Sequence, residues 1–346
     1  MGHVGVTHRV AIVGCGLIGH KRAKALAGAR VVACADLRRD RAEALAAAIA
    51  AAATPVTPAA PTATDDWRAA ITRPDVDIAI VATTNDALAE VTRFAVEAGK
   101  HVLVEKPAAR SLAEIDGVIE AAARHRRLVR VGFNHRYHPA VLKAQALVQE
   151  DALGELMFVR GRYGHGGRIG YEKEWRADPG LSGGGELIDQ GMHLIDLSRL
   201  FLGDIATVEG FAHTYFWKMP VDDNAFMILR TPRRQTAFLH VSCTEWKNMF
   251  SLEIYGRHGK LQIEGIGGSY GVETLIWYRM LPQMGPPETT VWEFSEGDTS
   301  WAIEFAEFMA DIDAGREPSA GLSAARAALA VVDEIYARSG YNFGSR

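Results

Sequence analysis

From residue 9 to residue 133, short β-branched runs alternate with stretches whose apolar positions recur at helical spacing. The runs at 10–13, 31–35, 78–82, 101–104 and 128–133 are predicted strands, and 21–27, 40–53, 87–98 and 112–124 are predicted helices. Strand and helix in alternation are the signature of a parallel sheet covered by helices. Pro55, Pro58 and Pro61 remove donors and fix φ, so the alanine-rich helix cannot continue and 54–64 is expected to be a surface loop. Beyond Pro139 the pattern becomes one helix, then longer alternating strands at 156–163, 207–216, 225–229, 236–244, 250–255 and 260–264. Few helices separate the later strands, which favours a mostly antiparallel sheet. Helical spacing returns at 300–314 and 323–338. The expected fold class is α/β, with a helix-covered parallel-sheet domain over 1–134. An α/β domain with a large, mostly antiparallel open sheet follows over 135–346, its C-terminal helix packing back on the first domain.

At 346 residues the chain exceeds the usual size of one hydrophobic core, which agrees with two domains. A net charge of -4 with interspersed signs gives no basic field for nucleic acid or a membrane surface. The first nine residues lack a basic flank followed by an apolar run, and no later segment has the apolar length of a bilayer span. A soluble cytoplasmic protein is expected. Cys15, Cys34 and Cys243 are scattered without CxxC spacing and read as small core residues in a reducing compartment.

Chemistry enters at Gly14-Cys15-Gly16-Leu17-Ile18-Gly19, which fits G-x-G-x-x-G after a strand and before a helix. Gly14 permits the tight turn, Gly16 the approach of a pyrophosphate to backbone, and Gly19 close helix packing. Asp36 ends the next strand, where an acid accepts from ribose hydroxyls and repels a 2′-phosphate. NAD is therefore favoured, with NADP the alternative, since Arg38 and Arg39 can pair with an extra phosphate. The next signal is Glu105-Lys106-Pro107, at the carboxyl end of the strand that follows the helix-ending Gly99. Open parallel sheets bind ligands at this end, although an exposed strand-end lysine paired with Glu105 is the alternative.

Gly183, Gly184 and Gly185 then lead into a helical pattern, and the triple glycine is expected to let backbone approach a ligand. Asp189 and His193, at i and i+4, share one helical face, setting an imidazole beside a carboxylate. Such a histidine can take a proton from an alcohol as hydride leaves. An ion pair on a solvated helix is the competing reading, and no ligand spacing supports a metal.

In this order and spacing, the glycine fingerprint with Asp36, Glu105-Lys106-Pro107, and Asp189 with His193 resemble the glucose-fructose oxidoreductase, inositol dehydrogenase and MocA (Gfo/Idh/MocA) family over nearly the whole chain. The resemblance implies a Rossmann domain plus an α/β domain whose open sheet serves in homo-oligomers, a dimer or tetramer. It implies NAD(P)-dependent exchange of a hydride with a secondary alcohol or ketone of a sugar, polyol, sugar acid or nucleotide sugar. Lys106, Asp189 and His193 would be the catalytic set: Lys106 polarises the reacting oxygen, His193 exchanges the proton and Asp189 positions the hydroxyl or the imidazole. Gly14, Gly16, Leu17, Ile18, Gly19, Asp36, Arg38, Thr83, Thr84, Asn85, Glu105 and Lys106 would contact the cofactor. Where relatives read Thr-Pro-Asn and then a histidine, this chain has Thr83-Thr84-Asn85 and Leu88.

Asn134-His135-Arg136-Tyr137-His138-Pro139 resembles the family's Asn-x-Arg-Tyr/Phe-x-Pro segment, making Asn134 and Arg136 candidate pocket residues; a hinge held by Arg136 ion pairs is the alternative. Residues 161–176 join loop glycines to aromatic faces and cations, so Tyr163, Arg168, Trp175 and Arg176 are candidate substrate contacts. The cations of 160–176 favour an acidic or nucleotide-linked sugar over a neutral polyol. Asp222 and Asp223 carry no assignment. Two other functions fit the same motifs: an NAD-dependent redox-assisted glycosidase and a non-catalytic dinucleotide sensor.

Overall fold

The computed structural model describes residues 8–26, 28–52 and 60–343. They form two compact units, one running to Gly132 and taking in Trp301–Arg326, the other comprising Phe133–Ser300 and continuing from Ala327. The first unit therefore ends two residues before the expected 134, and it recruits a segment from near the end of the chain.

In the first unit six parallel strands lie in the order β3-β2-β1-β4-β5-β6. They are β1 (Arg9–Val13), β2 (Arg30–Ala35), β3 (Thr62–Thr64), β4 (Ile78–Val81), β5 (His101–Val104) and β6 (Val129–Val131). The helices between them are α1 (Leu17–Lys24), α2 (Arg39–Ala51), α3 (Trp67–Thr72), α4 (Asn85–Glu97) and α5 (Leu112–His125). Continuous apolar strands are what a sheet covered on both faces requires, and β4 is buried throughout. The strand order reverses direction at β1 and β4, the crevice where open α/β sheets take ligands.

Sequence periodicity did not reveal β3 or α3. Residues 60–64, expected to be loop, include the short edge strand β3, while 53–59 lie outside the described residues. At six residues α3 is too short to display a period, although Asp66 caps it by accepting from the Ala69 N–H.

Helix α9 (Ser300–Ala314) contributes Phe305 and Phe308 to the core built on Val10, Ile12, Ile78, Ile80 and Leu103. It also delivers Glu304, Glu307 and Asp311, spaced three and four apart, to two buried arginines. Arg22 of α1 lies between Glu105 at 2.6 Å and Glu304 at 2.5 Å, with the Trp301 ring 4.4 Å from the guanidinium carbon. Arg130 of β6 pairs with Glu307 at 3.0 Å and Asp311 at 2.5 Å. Gly132 is required beside the first pair: a Cβ there would stand 2.6 Å from Arg22 Nη2.

The second unit has eight strands in the order β14-β13-β12-β11-β7-β10-β9-β8. These are β7 (Leu156–Gly164), β8 (Thr207–His213), β9 (Asn224–Arg230), β10 (Thr236–Ser242), β11 (Met249–Gly256), β12 (Gly259–Glu264), β13 (Glu273–Arg279) and β14 (Glu288–Phe294). Every neighbouring pair is antiparallel except β7 with β10. Strands β13 and β14 escaped the sequence reading; β14 is exposed or half-exposed along its length, so it lacks an inward apolar row. Helices α6 (Pro139–Gln149), α7 (Pro179–Ser182) and α8 (Met192–Leu202) belong to this unit, and α10 (Leu322–Arg338) begins in the first unit and continues in it. One sheet face carries exposed Phe211, Ile228 and Phe238.

Replacing Arg22 by Met leaves two buried carboxylates without their guanidinium, and burial already pushes the Glu304 carboxyl upward. The variant is expected to lose about 3–5 kcal/mol of stability by chemical denaturation; a loss below about 1 kcal/mol would show that the cluster is not a structural anchor.

Candidate active site

The glycine turn after β1 shows three different uses of glycine. Gly14 has φ +94°, and a Cβ there would collide with the Ala82 carbonyl and stand 2.7 Å from the Thr83 nitrogen. A Cβ on Gly19 would strike the Gly14 carbonyl, so close packing of α1 on the turn requires glycine. Gly16 differs: apart from its chain neighbours, nothing among the described residues lies within 4 Å of its Cβ position. It is also the residue before α1, whose N-terminus has no side-chain cap. Open space beside uncapped backbone donors is the arrangement that accepts a phosphate.

Asp36, just beyond β2, closes this cradle. Its Oδ2 accepts from the Cys15 N–H at 2.8 Å and its Oδ1 from the Arg38 N–H at 2.9 Å. Leu17 and Leu37 are exposed and Ile18 half-buried beside it. The Arg38 guanidinium is bound by Asp40 at 2.6 Å. After β4, the Thr83 hydroxyl donates to the Thr84 carbonyl and the Thr84 hydroxyl to Asp86, while Asn85 and Leu88 are buried. Glu105 turns inward to Arg22, and half-buried Lys106 follows it at a cis peptide bond to Pro107.

In the second unit the triple glycine serves the protein's own side chains, contrary to the expected ligand approach. A Cβ on Gly184 would strike the Tyr336 hydroxyl, and one on Gly185 would strike the Asp222 backbone. The buried Asp222 carboxylate accepts from Gly185 N–H at 2.9 Å, Leu187 N–H at 2.8 Å and Tyr336 O–H at 2.7 Å. These bonds anchor a π-helical turn, Leu187–Gly191, that runs into α8. Asp189 lies in that turn and His193 in the α-helix beyond it, so a wider turn joins them than a regular i, i+4 face.

His193 is 4% exposed and lies face to face with His135, with ring centroids 3.7 Å apart and planes at 21°. Phe133 and Tyr163 meet its ring edge-on at 6.1 and 6.2 Å. Asp189 accepts from Arg176 Nε at 3.0 Å, and the Trp175 ring lies 4.6 Å from that guanidinium. Buried Arg136 makes a two-bond pair with Asp196 of α8 at 2.6 and 2.5 Å. Asn134 donates to Ser300 at 2.9 Å. Arg168 pairs with Glu174 at 2.6 Å.

Burial raises the phenol pKa of Tyr163, Tyr171 and Tyr270, with Asp189 and Glu186 adding to the effect. Burial lowers His165, which lies 3.5 Å from Glu186. The structure thus brings Tyr163, Asp189, Arg176 and His193 into one unit together with His135, Tyr270, Glu186 and Asp222, none of which the sequence singled out. His135 was overlooked within a segment read for its Asn and Arg; Asp222 offered no local signal, since its partners lie 35 or more positions away. Among the described residues no group of three His, Cys, Asp or Glu side chains could hold a metal ion, and no helix is long and apolar enough to cross a membrane.

Two family models match the chain. One, described as "Oxidoreductase family, NAD-binding Rossmann fold", matches residues 8–133, and the other, "GFO/IDH/MocA C-terminal domain", matches 141–262. A levoglucosan dehydrogenase of Pseudarthrobacter phenanthrenivorans is 32% identical over 180 residues, 49% of this chain and 44% of the relative. An inositol 2-dehydrogenase of Gluconacetobacter diazotrophicus is 31% identical over 202 residues, 57% of this chain and 55% of the relative. The chain thus spans about half the length of these curated relatives. A solved levoglucosan dehydrogenase, in complex with NADH and levoglucosan, superposes with TM-score 0.85 at 22% identity over 96% of this chain and 97% of that one, a likeness of fold.

Burial pushes the Asp222 carboxyl from its ordinary 3.8 up to about 6, against the three hydrogen bonds it accepts. Between those values the folded state holds a proton that the unfolded state has released, so Asp222's contribution is full below the lower value and declines as pH rises through the upper. The unfolding free energy of the native protein minus that of Asp222→Asn is expected to fall across that window by about 3 kcal/mol and to be flat above it. Denaturant titrations at several pH values measure this; a difference independent of pH would refute it.

Proposed function

The chain belongs to the Gfo/Idh/MocA family of NAD-binding Rossmann-fold oxidoreductases, and from that premise we propose that it is an NAD-dependent dehydrogenase acting on a secondary alcohol of a neutral sugar or polyol. The observation that carries this reading is the cradle at Gly16, where two glycines are closed off by backbone and the third faces open space beside uncapped helix donors. The residues there fit a dinucleotide. The turn of Gly14, Gly16, Leu17, Ile18 and Gly19 would hold the pyrophosphate and Asp36 the ribose hydroxyls. NAD is preferred over NADP because Asp36 would repel a 2′-phosphate and Arg38 is already paired with Asp40.

The bound nicotinamide would supply the hydride chemistry. This chain's residues do the rest. Lys106 Nζ stabilises negative charge growing on the substrate oxygen, and the His193 imidazole accepts the hydroxyl proton in the oxidative direction. Asp189, held by Arg176, orients the substrate hydroxyl or favours the charged imidazole.

Three of the five cations over 160–176 have partners of their own: Arg160 with Glu253, Arg168 with Glu174 and Arg176 with Asp189. That weakens the electrostatic reason for preferring an anion. Levoglucosan and inositol, for which these relatives are named, carry no charge, which supports the same choice. Three buried free thiols accord with a reducing cytoplasm, and the exposed Phe211, Ile228 and Phe238 offer a face for a homo-oligomer.

Two measurements test this. Purified protein supplied with NAD or NADP and a panel of polyols, anhydrosugars, sugar acids and nucleotide sugars should generate NADH with a neutral polyol or sugar. Lys106→Met should then lower kcat by about 100-fold or more with cofactor affinity nearly intact; full activity in that variant would sink the assignment. Independently, Gly16→Val should fold normally yet weaken NADH binding, followed by fluorescence, by about tenfold or more. Undiminished binding would remove the cradle from the proposal.

A further inference from the structure

The family reading assigns no part to the ring against which His193 lies. Buried imidazoles are poor places for a proton, because desolvation opposes the charged form. His193 is nevertheless buried, and the flat surface it meets is a second imidazole, that of His135.

His135 is held by a chain of hydrogen bonds whose polarity can be followed from one end. The Ser300 hydroxyl donates to Asp298 Oδ1 at 2.5 Å, so its oxygen accepts from Asn134 Nδ2 at 2.9 Å. That fixes the Asn134 amide with Oδ1 turned toward His135 Nδ1, 3.3 Å away. An amide oxygen only accepts, so His135 carries its hydrogen on Nδ1. Ser300, Asn134 and His135 are all buried, which keeps water from competing for these bonds.

We propose that His135 is a positioning residue for proton transfer: anchored through Asn134 and Ser300 to Asp298, its ring sets the plane of the His193 imidazole by stacking on it. The proposal rests on the dehydrogenase reading for its catalytic consequence, though not for its physical content. Two imidazoles this close repel when both are charged, so they titrate as a coupled pair, in two steps that belong to the pair and not to either ring. The other titratable and charged groups around the pair are Tyr163 of β7, Tyr270 before β13, His138 at the start of α6 with its partners Glu273 and Asp298, and Arg136 with Asp196 of α8. Asp189 and Glu186 act electrostatically on Tyr163, with Arg176 paired to Asp189 and His165 to Glu186.

NMR of isotope-labelled histidine in the full-length protein, with His193 assigned by its loss in His193→Gln, reads the coupling without any substrate. The His193 and His135 signals should move together in the native protein. In His135→Phe, which keeps a flat ring but cannot ionise, His193 should titrate in a single independent step. An unchanged His193 titration in that variant overturns the proposal. With the alcohol found by the substrate panel, His135→Ala is expected to lower kcat by about 10–100-fold with KM changed by less than about threefold. His135→Phe should recover at least about fivefold of that loss; equal kcat in the two variants also overturns it. Coupled titration in a protein that oxidises no alcohol would leave the stacked pair standing and refute the dehydrogenase reading instead.

Discussion

The first unit's working parts are kept in register by one guanidinium. Arg22 projects from the helix that follows the glycine turn and is bound on one side by Glu105, the residue before Lys106, and on the other by Glu304. A planar fork with several donors can serve two carboxylates at once, which a lysine ammonium does less well. Buried ion pairs of this kind roughly break even against apolar replacements, so net stability does not explain the arrangement. Geometry does. The pair fixes the distance between the turn that would hold pyrophosphate and the strand end that presents Lys106, and Gly132 is the residue that leaves room for it.

Such a device is nearly invisible in a sequence, whereas the sheet around it is plain. Parallel strands buried on both faces leave continuous apolar runs, which is why β1, β2, β4 and β5 could be read almost to the residue. Arg22 and its partners lie 83 and 282 positions apart, and charged residues are exposed by default, so nothing local marks them as interior. The second unit's missed strands show the converse difficulty. Strand β14 carries glutamate, threonine and tryptophan with little burial, and a strand without an inward row has no period to detect.

Motifs carried less meaning than the side chains that surround them. Gly14, Gly16 and Gly19 all fit one fingerprint, but two are required by the protein's own backbone and only Gly16 is turned to open space. The triple glycine at 183–185 suggested ligand approach just as strongly, and its last two members instead accommodate Tyr336 and Asp222. Composition misled in the same way over the loop cations. A count of arginines in 160–176 suggests a grip on an anion, but the partners of Arg160, Arg168 and Arg176 reduce that field at its source.

Arg176 shows what this pairing does to the chemistry. In the proposed reaction, an unpaired Asp189 carboxylate would favour the charged His193 imidazole and hold the proton that is to be exchanged. With Arg176 bound to Asp189, part of that attraction is cancelled. Burial keeps the neighbouring phenols protonated and works against charging His165, so neither group supplies a compensating charge of its own. In the proposed reaction the loop over 160–176 would therefore act through the strength of Asp189. On that reading, loosening the Arg176 contact would trade easy release of the proton for firmer retention, and the partner of the carboxylate, more than the carboxylate itself, would tune the histidine.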